Sequence, residues 1–283
     1  MNDICFPMAK INLGLNVVRR RPDGYHDLQT VFYPVPICDA IEVHEMNDLF
    51  PSSVDCDIKV SNMRLEGDEQ QNLVVKAYKL LKEEFPAIPR LHVHLWKFIP
   101  SQAGMGGGSS DGAYMLMLLN ERYHLQLSRE QLSGFAARLG ADCPFFTMQH
   151  SAAKAWYAEG IGERLSPLTL NLSGWTIVVV KPPVAVSTRE AFSLVSPMEP
   201  QENCRVITSR PVETWRDTLV NDFEKSVFAL YPEIATIKQR LYDMGAAYAA
   251  MSGSGSAVFG LFRHPVSISD NNDLWGQVII REL

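Results

Sequence analysis

The chain has 283 residues, 46% of them hydrophobic; that is enough to bury one large core or two modest ones, and the length favours two domains. Its 26 Lys and Arg against 32 Asp and Glu give a net charge of −6 with no dense basic block, which argues against nucleic-acid binding. Cys5, Cys38, Cys56, Cys143 and Cys204 are odd in number, widely spaced and without a C-x-x-C pair, and no window nears the about 18 uninterrupted apolar residues of a membrane span; with no basic-then-apolar leader, a soluble cytoplasmic protein is expected.

Residues 4–18 alternate apolar positions around Pro7 and Gly14, which suits a strand followed by a bend and puts Lys10 and Asn12 on one face. A lysine within an otherwise apolar, small-residue strand speaks against a mere surface ion pair. Arg19, Arg20 and Arg21 form the only basic cluster, a solvated strand end or an attractor for an anion. TVFYPVPICDAIEV, residues 30–43, is β-rich but interrupted by Pro34 and Pro36, and residues 55–61 alternate again; both read as edge or short strands. From Asn72 to Phe85 the period changes, with Leu73, Ala77, Leu80 and Leu81 on one side, as in an amphipathic helix. Leu91, Val93, Leu95 and Lys97 then alternate with His92, His94 and Trp96 in a strand. The two histidines have no third ligand at regular spacing and read as a surface or packed pair, so no metal site is assigned.

That strand feeds into PSQAGMGGGSSDGAYMLMLL, Pro100–Leu119. Gly104, Gly106, Gly107 and Gly108 can take backbone angles closed to other residues, and a helix starting near Ser109 and running to about Tyr123 would aim its first N–H groups and positive dipole end at one point. Phosphate binding follows. A Walker loop is excluded, because Gly108 precedes Ser109, Ser110 and Asp111 with no lysine; a dinucleotide fingerprint is excluded because its sixth place, counted from Gly104, is Ser109. The plain alternative, a flexible linker, is usually polar on both sides and rarely abuts helical periodicity.

Ser128-Arg129-Glu130-Gln131 matches a capping box, and Gly140 can close the helix it opens. Asp142 follows, a lone carboxylate before Cys143-Pro144-Phe145-Phe146, for which a cap or turn role stays open. Past residue 150, WTIVVVK (175–181) reads as a buried strand and residues 233–244 as a helix stopped by Gly245, a second α+β unit. Ser252-Gly253-Ser254-Gly255-Ser256 lies between the β-like runs AAYAAM and AVFGLF and by itself reads as a hairpin turn. Residues 199–215 and those after Pro265 give no usable pattern.

Taken in order, PMAKINLGLNV, IPSQAGMGGGSSDGA, LGADCPFF and MSGSGSAVFGLF, spanning residues 7–262, resemble the successive motifs of the GHMP small-molecule kinases. The opening PMAKINLGLNVVRRRPDGYHDLQTVF, and its Asp23-Gly24-Tyr25-His26 turn above all, is similar to the branch of that superfamily acting on a cytidine diphosphate-linked methylerythritol in the non-mevalonate isoprenoid pathway. The resemblance implies an α+β, two-domain fold: residues 1–153 as an ATP-binding domain of the ribosomal protein S5 domain 2-like type and residues 154–283 as a ferredoxin-like domain, with the active site in the cleft between them. Gly112, Tyr114 and Cys143 depart from the family pattern in ways that touch packing more than chemistry.

The same resemblance implies transfer of the ATP γ-phosphate to the 2-hydroxyl of the methylerythritol unit, a reaction of positioning and electrostatics. Lys10 and Asp142 are its implied catalytic pair, Asp142 orienting the hydroxyl and accepting its proton, Lys10 keeping Asp142 ionised and offsetting charge on the moving phosphoryl group. ATP, a co-substrate, is implied on Pro100, Ser101, Gln102, Ala103, Gly104, Met105, Gly106, Gly107, Gly108, Ser109 and Ser110, with Asn72 and Lys97 close to the adenosine. Mg²⁺ is expected because it bridges phosphate oxygens; Ser109 or Ser110 either touches it or caps the helix. Asn12, Tyr25 and His26 match the substrate motif, the aromatic ring stacking on cytosine and the histidine bonding its polar edge. Thr188 and Phe192, in VSTREAF, align more loosely with further substrate contacts, and Gly253–Ser256 would complete the cleft. The expected partners are the two small-molecule substrates, not nucleic acid or membrane, and the expected state is a monomer or weak homodimer. A kinase for homoserine, mevalonate or a sugar, and a non-enzymatic nucleotide sensor, are the rival readings.

Overall fold

The strands of the first third are β1 (Ile4–Cys5), β2 (Met8–Arg20), β3 (His26–Cys38), β4 (Ala40–Glu45) and β5 (Cys56–Ser61); α1 (Leu73–Glu84), β6 (Leu91–Trp96), α2 (Gly107–Arg122), α3 (Arg129–Leu139) and α4 (Cys143–Thr147) follow. Then come β7 (Ala155–Gly160), β8 (Arg164–Leu168), β9 (Thr176–Lys181), α5 (Thr188–Phe192), α6 (Cys204–Ile207), α7 (Phe223–Leu230), α8 (Pro232–Asp243), β10 (Tyr248–Met251), β11 (Val258–Phe262) and β12 (Gln277–Glu282). This computed structural model describes residues 3–65, 67–148, 154–268 and 275–283, and the domain boundary expected after residue 153 lies outside them. The chain divides into two compact units, one of Met1–Ala9, Ile37–Ser101 and Gly106–Ser151, the other of Lys10–Pro36, Gln102–Met105 and Ala152–Leu283.

The first unit holds a sheet of order β1-β4-β6-β5, antiparallel except for the parallel β5–β6 pair. Helices α1 to α4 pack on one another, with α1 against β5 and α2 against β1. The helix expected over 72–85 is α1: Asn72 caps it, its side chain accepting from the Val74 N–H at 2.9 Å, and Val75, Ala77, Tyr78 and Leu81 are its buried stripe. The capping box at Ser128 opens α3, with Gln131 closing it reciprocally and Gly140 at the carboxyl end. Ile41, Leu81, Leu95, Met115, Leu119, Phe145 and Phe146 are fully buried. At about 1.5–3 kcal/mol for each such side chain, this apolar interior is what holds the unit together.

The second unit holds two sheets, β2-β3-β7-β8 and the antiparallel β10-β11-β9-β12. Leu15 and Val17 of β2, Val178 and Val180 of β9, Val227 of α7, Ile237 and Leu241 of α8, and Met251 of β10 share one core. WTIVVVK is buried as expected, as β9, and α8 ends at Asp243 before Gly245. The Ser252–Ser256 string is indeed the turn of a hairpin, β10 pairing antiparallel with β11.

Two expectations need correction. Residues 55–61 do form a short edge strand, β5, and residues 40–43 fall in the six-residue β4, but residues 30–38 are not an edge or short strand: β3 runs unbroken for 13 residues and lies inside its sheet. Its ladder with β7 covers only Leu28–Phe32, so Pro34 and Pro36 fall beyond it and cost it no hydrogen bond. Gly14 does not end its strand either; β2 passes through it with φ +68° and continues to Arg20. The unreadable stretch 199–215 contains α6, a single 3₁₀ turn at Val212–Thr214 and a fully buried Trp215, whose indole N–H donates to the Arg210 carbonyl at 3.0 Å.

Candidate active site

The glycine loop begins where β6 ends. Gly104 (φ +70°) and Gly106 (φ +68°) take left-handed angles, as expected, but Gly107 and Gly108 are the first residues of α2, which therefore opens two positions before Ser109. The Ser110 N–H is the first to bond inside α2, to the Gly106 carbonyl at 2.8 Å, so the helix's leading amides, from Gly106 to Ser109, and its positive dipole end stand at the glycines themselves. Gly104 is also a close approach: a Cβ there would lie 1.8 Å from the Ser252 carbonyl oxygen, whereas one at Gly108 would meet nothing within 4 Å. Ala103 and Met105 are buried anchors and Ser101 and Gln102 are exposed. Neither serine caps α2. Ser110 is fully buried and its hydroxyl donates to the Met8 carbonyl at 2.7 Å.

The hairpin turn at Ser252–Ser256 docks on residues 102–105. The Ser256 N–H donates to the Gln102 carbonyl at 3.2 Å, the Ala257 N–H to the Ala103 carbonyl at 3.3 Å, and the Ser252 hydroxyl to the Gly104 carbonyl at 2.9 Å. Asn221, buried, holds the turn from behind, its side-chain amide donating to the carbonyls of Met251 and Gly253 at 2.8 Å each. Lys10 lies in the same place, with its backbone N–H on the Met105 carbonyl at 3.0 Å. Its ammonium donates to Asn12 Oδ1 at 2.6 Å and to the Gly104 carbonyl at 2.9 Å, and sits 5.1 Å from the Phe32 ring centre. Lys10 and Asn12 thus share a face of β2 as expected, and both are buried, at 3% and 2% exposure.

Lys97 is engaged elsewhere. Its buried ammonium donates to Asp39 Oδ2 and, at 2.7 Å, to Asp111 Oδ2, while Asp39 Oδ1 accepts from the Phe98 and Ile99 amides at 2.5 and 2.8 Å. Burial works against the charged Lys97, but the Asp111 and Asp39 carboxylates outweigh it and raise its pKa. Burial pushes Asp111 up to about 8, Lys97 pulling it back and Asp39 pushing with burial. Asp39 and Asp111 were not singled out from the sequence. The signal for Asp39 is a carboxylate set between the apolar Ile37-Cys38 and Ala40-Ile41.

The Asp23–His26 turn joins β2 to β3. Asp23 Oδ1 accepts from the Tyr25 N–H at 3.0 Å, and the Arg21 N–H donates to the Tyr25 carbonyl at 2.8 Å, which throws the Tyr25 ring outward at 61% exposure. His26 stacks on Phe192, ring centres 4.5 Å apart and planes at 22°, and Phe192 meets Phe223 edge-on at 4.7 Å. Burial, then the Arg20 charge, lowers the His26 pKa below its ordinary value, which favours the neutral ring. Thr188 opens α5 on the exposed side, four residues before Phe192. Part of the basic cluster is neutralised locally, since Arg19 pairs with Asp27 at 2.6 Å.

Asn72, besides capping α1, lines a cavity of about 390 Å³ with Val60, Met63, Arg64 and Leu65. Asp142 is the N-cap residue of α4 and half-buried, and its side chain makes no capping hydrogen bond. His92 bonds Asp57 and the Phe50 carbonyl, and His94 bonds Ser61. Among the described residues no group of three or more His, Cys, Asp or Glu is placed to hold a metal ion, and no helix is long and apolar enough to cross a membrane.

Residues 72–150 match the GHMP kinases N terminal domain and residues 209–270 the GHMP kinases C terminal domain. A chain that matches both family domains and carries a glycine loop of this build in the first is a GHMP kinase, an ATP-dependent small-molecule phosphotransferase. A relative from Bacteroides fragilis named 4-diphosphocytidyl-2-C-methyl-D-erythritol kinase is 53% identical over 92% of each chain, and one of the same name from Bacteroides thetaiotaomicron is 49% identical over 96% of each. A crystal structure of 4-(cytidine 5'-diphospho)-2C-methyl-D-erythritol kinase superposes with a TM-score of 0.77 at 31% identity, covering 98% of this chain and 97% of that one. The chain belongs to the 4-diphosphocytidyl-2-C-methyl-D-erythritol kinase family.

Proposed function

We propose that this chain transfers the γ-phosphoryl group of ATP, taken up with Mg²⁺, to the 2-hydroxyl of 4-diphosphocytidyl-2-C-methyl-D-erythritol, a step of the non-mevalonate isoprenoid route. The observation that carries this reading is the buried Lys10 ammonium held against the glycine loop at the Gly104 carbonyl. A lysine fixed at a polyanion loop has a use in phosphoryl transfer that a surface lysine lacks. In the reaction the alcohol oxygen bonds to Pγ, the bond from Pγ to the β-bridging oxygen breaks, ADP leaves, and the hydroxyl proton passes to Asp142. Lys10 offsets negative charge on the transferred group, and the loop from Pro100 to Ser110 grips the polyphosphate through its amides. Mg²⁺ brought with ATP would neutralise phosphate charge; Ser110 is spent on the Met8 carbonyl, which leaves Ser109 as the loop serine that would reach it.

The adenine lies near Asn72, whose cavity combines apolar Val60, Met63 and Leu65 with polar Arg64, Asp68, Glu69 and Gln71. Tyr25 stacks on cytosine, and a neutral His26 offers one donor and one acceptor to the base edge. Phe192 supports that ring, with Thr188 a further contact and Asn12 completing the substrate motif. Residues 1–153 and 154–283 are the two family domains in this reading, and the protein works as a monomer or weak homodimer in the cytoplasm. The test is ADP release from ATP with the cytidylyl alcohol, mevalonate and homoserine offered separately. Release with the cytidylyl alcohol alone supports the reading; release only with another alcohol makes the chain a different kinase, and ATP binding without turnover of any alcohol makes it a sensor.

A further inference from the structure

Four polar side chains of the network that includes Lys10 and the Ser252–Ser256 turn are almost wholly removed from water: Asn12, Thr30, Ser252 and Asn221 are 2%, 2%, 1% and 4% exposed. Their hydrogen bonds have a direction that chemistry dictates. The Thr30 hydroxyl has one proton, and its partner at 2.5 Å, the Gly14 carbonyl, can only accept; the proton therefore points to Gly14. Toward Asn12, 2.9 Å away, Thr30 Oγ1 is then an acceptor, so the Asn12 group that faces it must be the NH₂. The other end of the amide, Oδ1, is thereby aimed at the Lys10 ammonium at 2.6 Å. The usual ambiguity of an asparagine flip is removed by a threonine that touches neither lysine nor loop.

We infer that Thr30 is a positioning residue for phosphoryl transfer: its hydroxyl locks the Asn12 amide, and the locked amide with the Gly104 carbonyl fixes where the Lys10 ammonium points. The second anchor is itself held, because the Gly104 carbonyl also accepts from Ser252 Oγ at 2.9 Å, and Ser252 Oγ accepts from the Asn12 N–H at 3.3 Å. Without the Thr30 oxygen the Asn12 NH₂ is a buried donor with no partner on that side, and a rotated amide would set donor against donor at Lys10. A lysine that wanders by a fraction of an ångström loses the charge compensation that only the transition state rewards. Besides its place in the substrate motif, Asn12 thereby serves Lys10, through an amide bonded at one end to Lys10 and at the other to Thr30.

The inference rests on Lys10 acting in phosphoryl transfer as proposed above, and the test separates the two. Thr30→Val keeps the shape and removes the acceptor; kcat is expected to fall at least about tenfold with the KM for ATP changed less than about twofold, and Thr30→Ser to recover most of the loss. Wild-type kcat in Thr30→Val, or an equal loss in Thr30→Ser, overturns the inference if Lys10→Met is inactive; wild-type turnover in Lys10→Met overturns the reading of Lys10 itself. Should Thr30→Val fail to fold, a neutron structure of the unaltered, deuterated protein decides. Asn12 N–D bonds directed at Thr30 support the lock, and N–D bonds directed at Lys10 refute it.

Discussion

Asp111 gives one oxygen, Oδ2, to the Lys97 ammonium at 2.7 Å and buries the other, Oδ1, with no hydrogen-bond partner. Asp39 approaches the same ammonium and ties it, through the Phe98 and Ile99 amides, to the start of the glycine loop. Two carboxylates and one ammonium out of water leave a net negative charge if all are ionised, and burial raises Asp111 to about 8. The unfolded Asp111 titrates at 3.8, so between that value and about 8 the native state keeps a proton the unfolded chain has released. Stability carried by this proton is complete below the lower value and is lost as pH rises through the upper one. Asn at position 111 imitates the protonated carboxyl. Denaturant midpoints at about pH 5 and about pH 9 are expected to fall less steeply with pH in Asp111→Asn than in the wild type; equal slopes would exclude a buried proton.

Gly104 and Gly108 are expected to fail in opposite ways. Alanine at 104 puts Cβ 1.8 Å from the Ser252 carbonyl oxygen at φ +70°, so the hairpin turn must part from the loop and stability falls by about 1–3 kcal/mol or more. Alanine at 108 meets no protein atom within 4 Å and sits in helix α2, so stability holds or rises by up to about 1 kcal/mol, while the KM for ATP rises because a methyl now stands at the amides that grip phosphate. Thermal melts paired with ATP titrations check both.

Phe192 pins the His26 ring at 4.5 Å. Phe192→Ala is expected to raise the KM for the cytidylyl alcohol roughly tenfold, a contact of about 1–3 kcal/mol, and to leave the KM for ATP unchanged. Burial is the first cause of the low His26 pKa, so exposing the ring raises that pKa. If the neutral ring binds the base, the pH below which substrate affinity declines moves upward in the variant, toward 6.5. A change confined to the KM for ATP would reverse the assignment of the two binding regions.

The glycine loop was legible because a glycine string directly before a helical apolar run has few other uses, yet its helix start was misjudged by two residues. Glycines count against a helix interior, but Gly107 and Gly108 occupy its first turn, where no side chain is needed and amides are exposed. Lys10 and Asn12 could be put on one face by strand alternation, whereas the identity of their partners could not, since Thr30, Gly104 and Ser252 are 20 to 242 positions from Lys10 and converge only in the fold. Asp39 and Asp111 escaped notice for the same reason: each by itself looks like a turn or helix-surface carboxylate, and only burial around Lys97 gives them meaning. Residues 199–215 carried no period because α6 has four residues and the 3₁₀ turn three, too short for any repeat to show, although they bury Trp215 against Tyr248 at 5.6 Å. The prolines of β3 misled because the rule that excludes them from strands concerns ladder hydrogen bonds, and at Pro34 and Pro36 the β7 ladder has already ended.

The proposed chemistry is tested most directly by comparing wild type with Asp142→Asn in single turnover of ATP and the cytidylyl alcohol, with ATP affinity measured calorimetrically on the same samples. Asp142 is the N-cap residue of α4 but its side chain makes no capping hydrogen bond, so the amide removes none. The rate is expected to fall by at least about 100-fold while ATP affinity stays within about twofold. An unchanged rate, or a loss explained by weaker ATP binding, would contradict the assignment of Asp142 as the group that takes the hydroxyl proton.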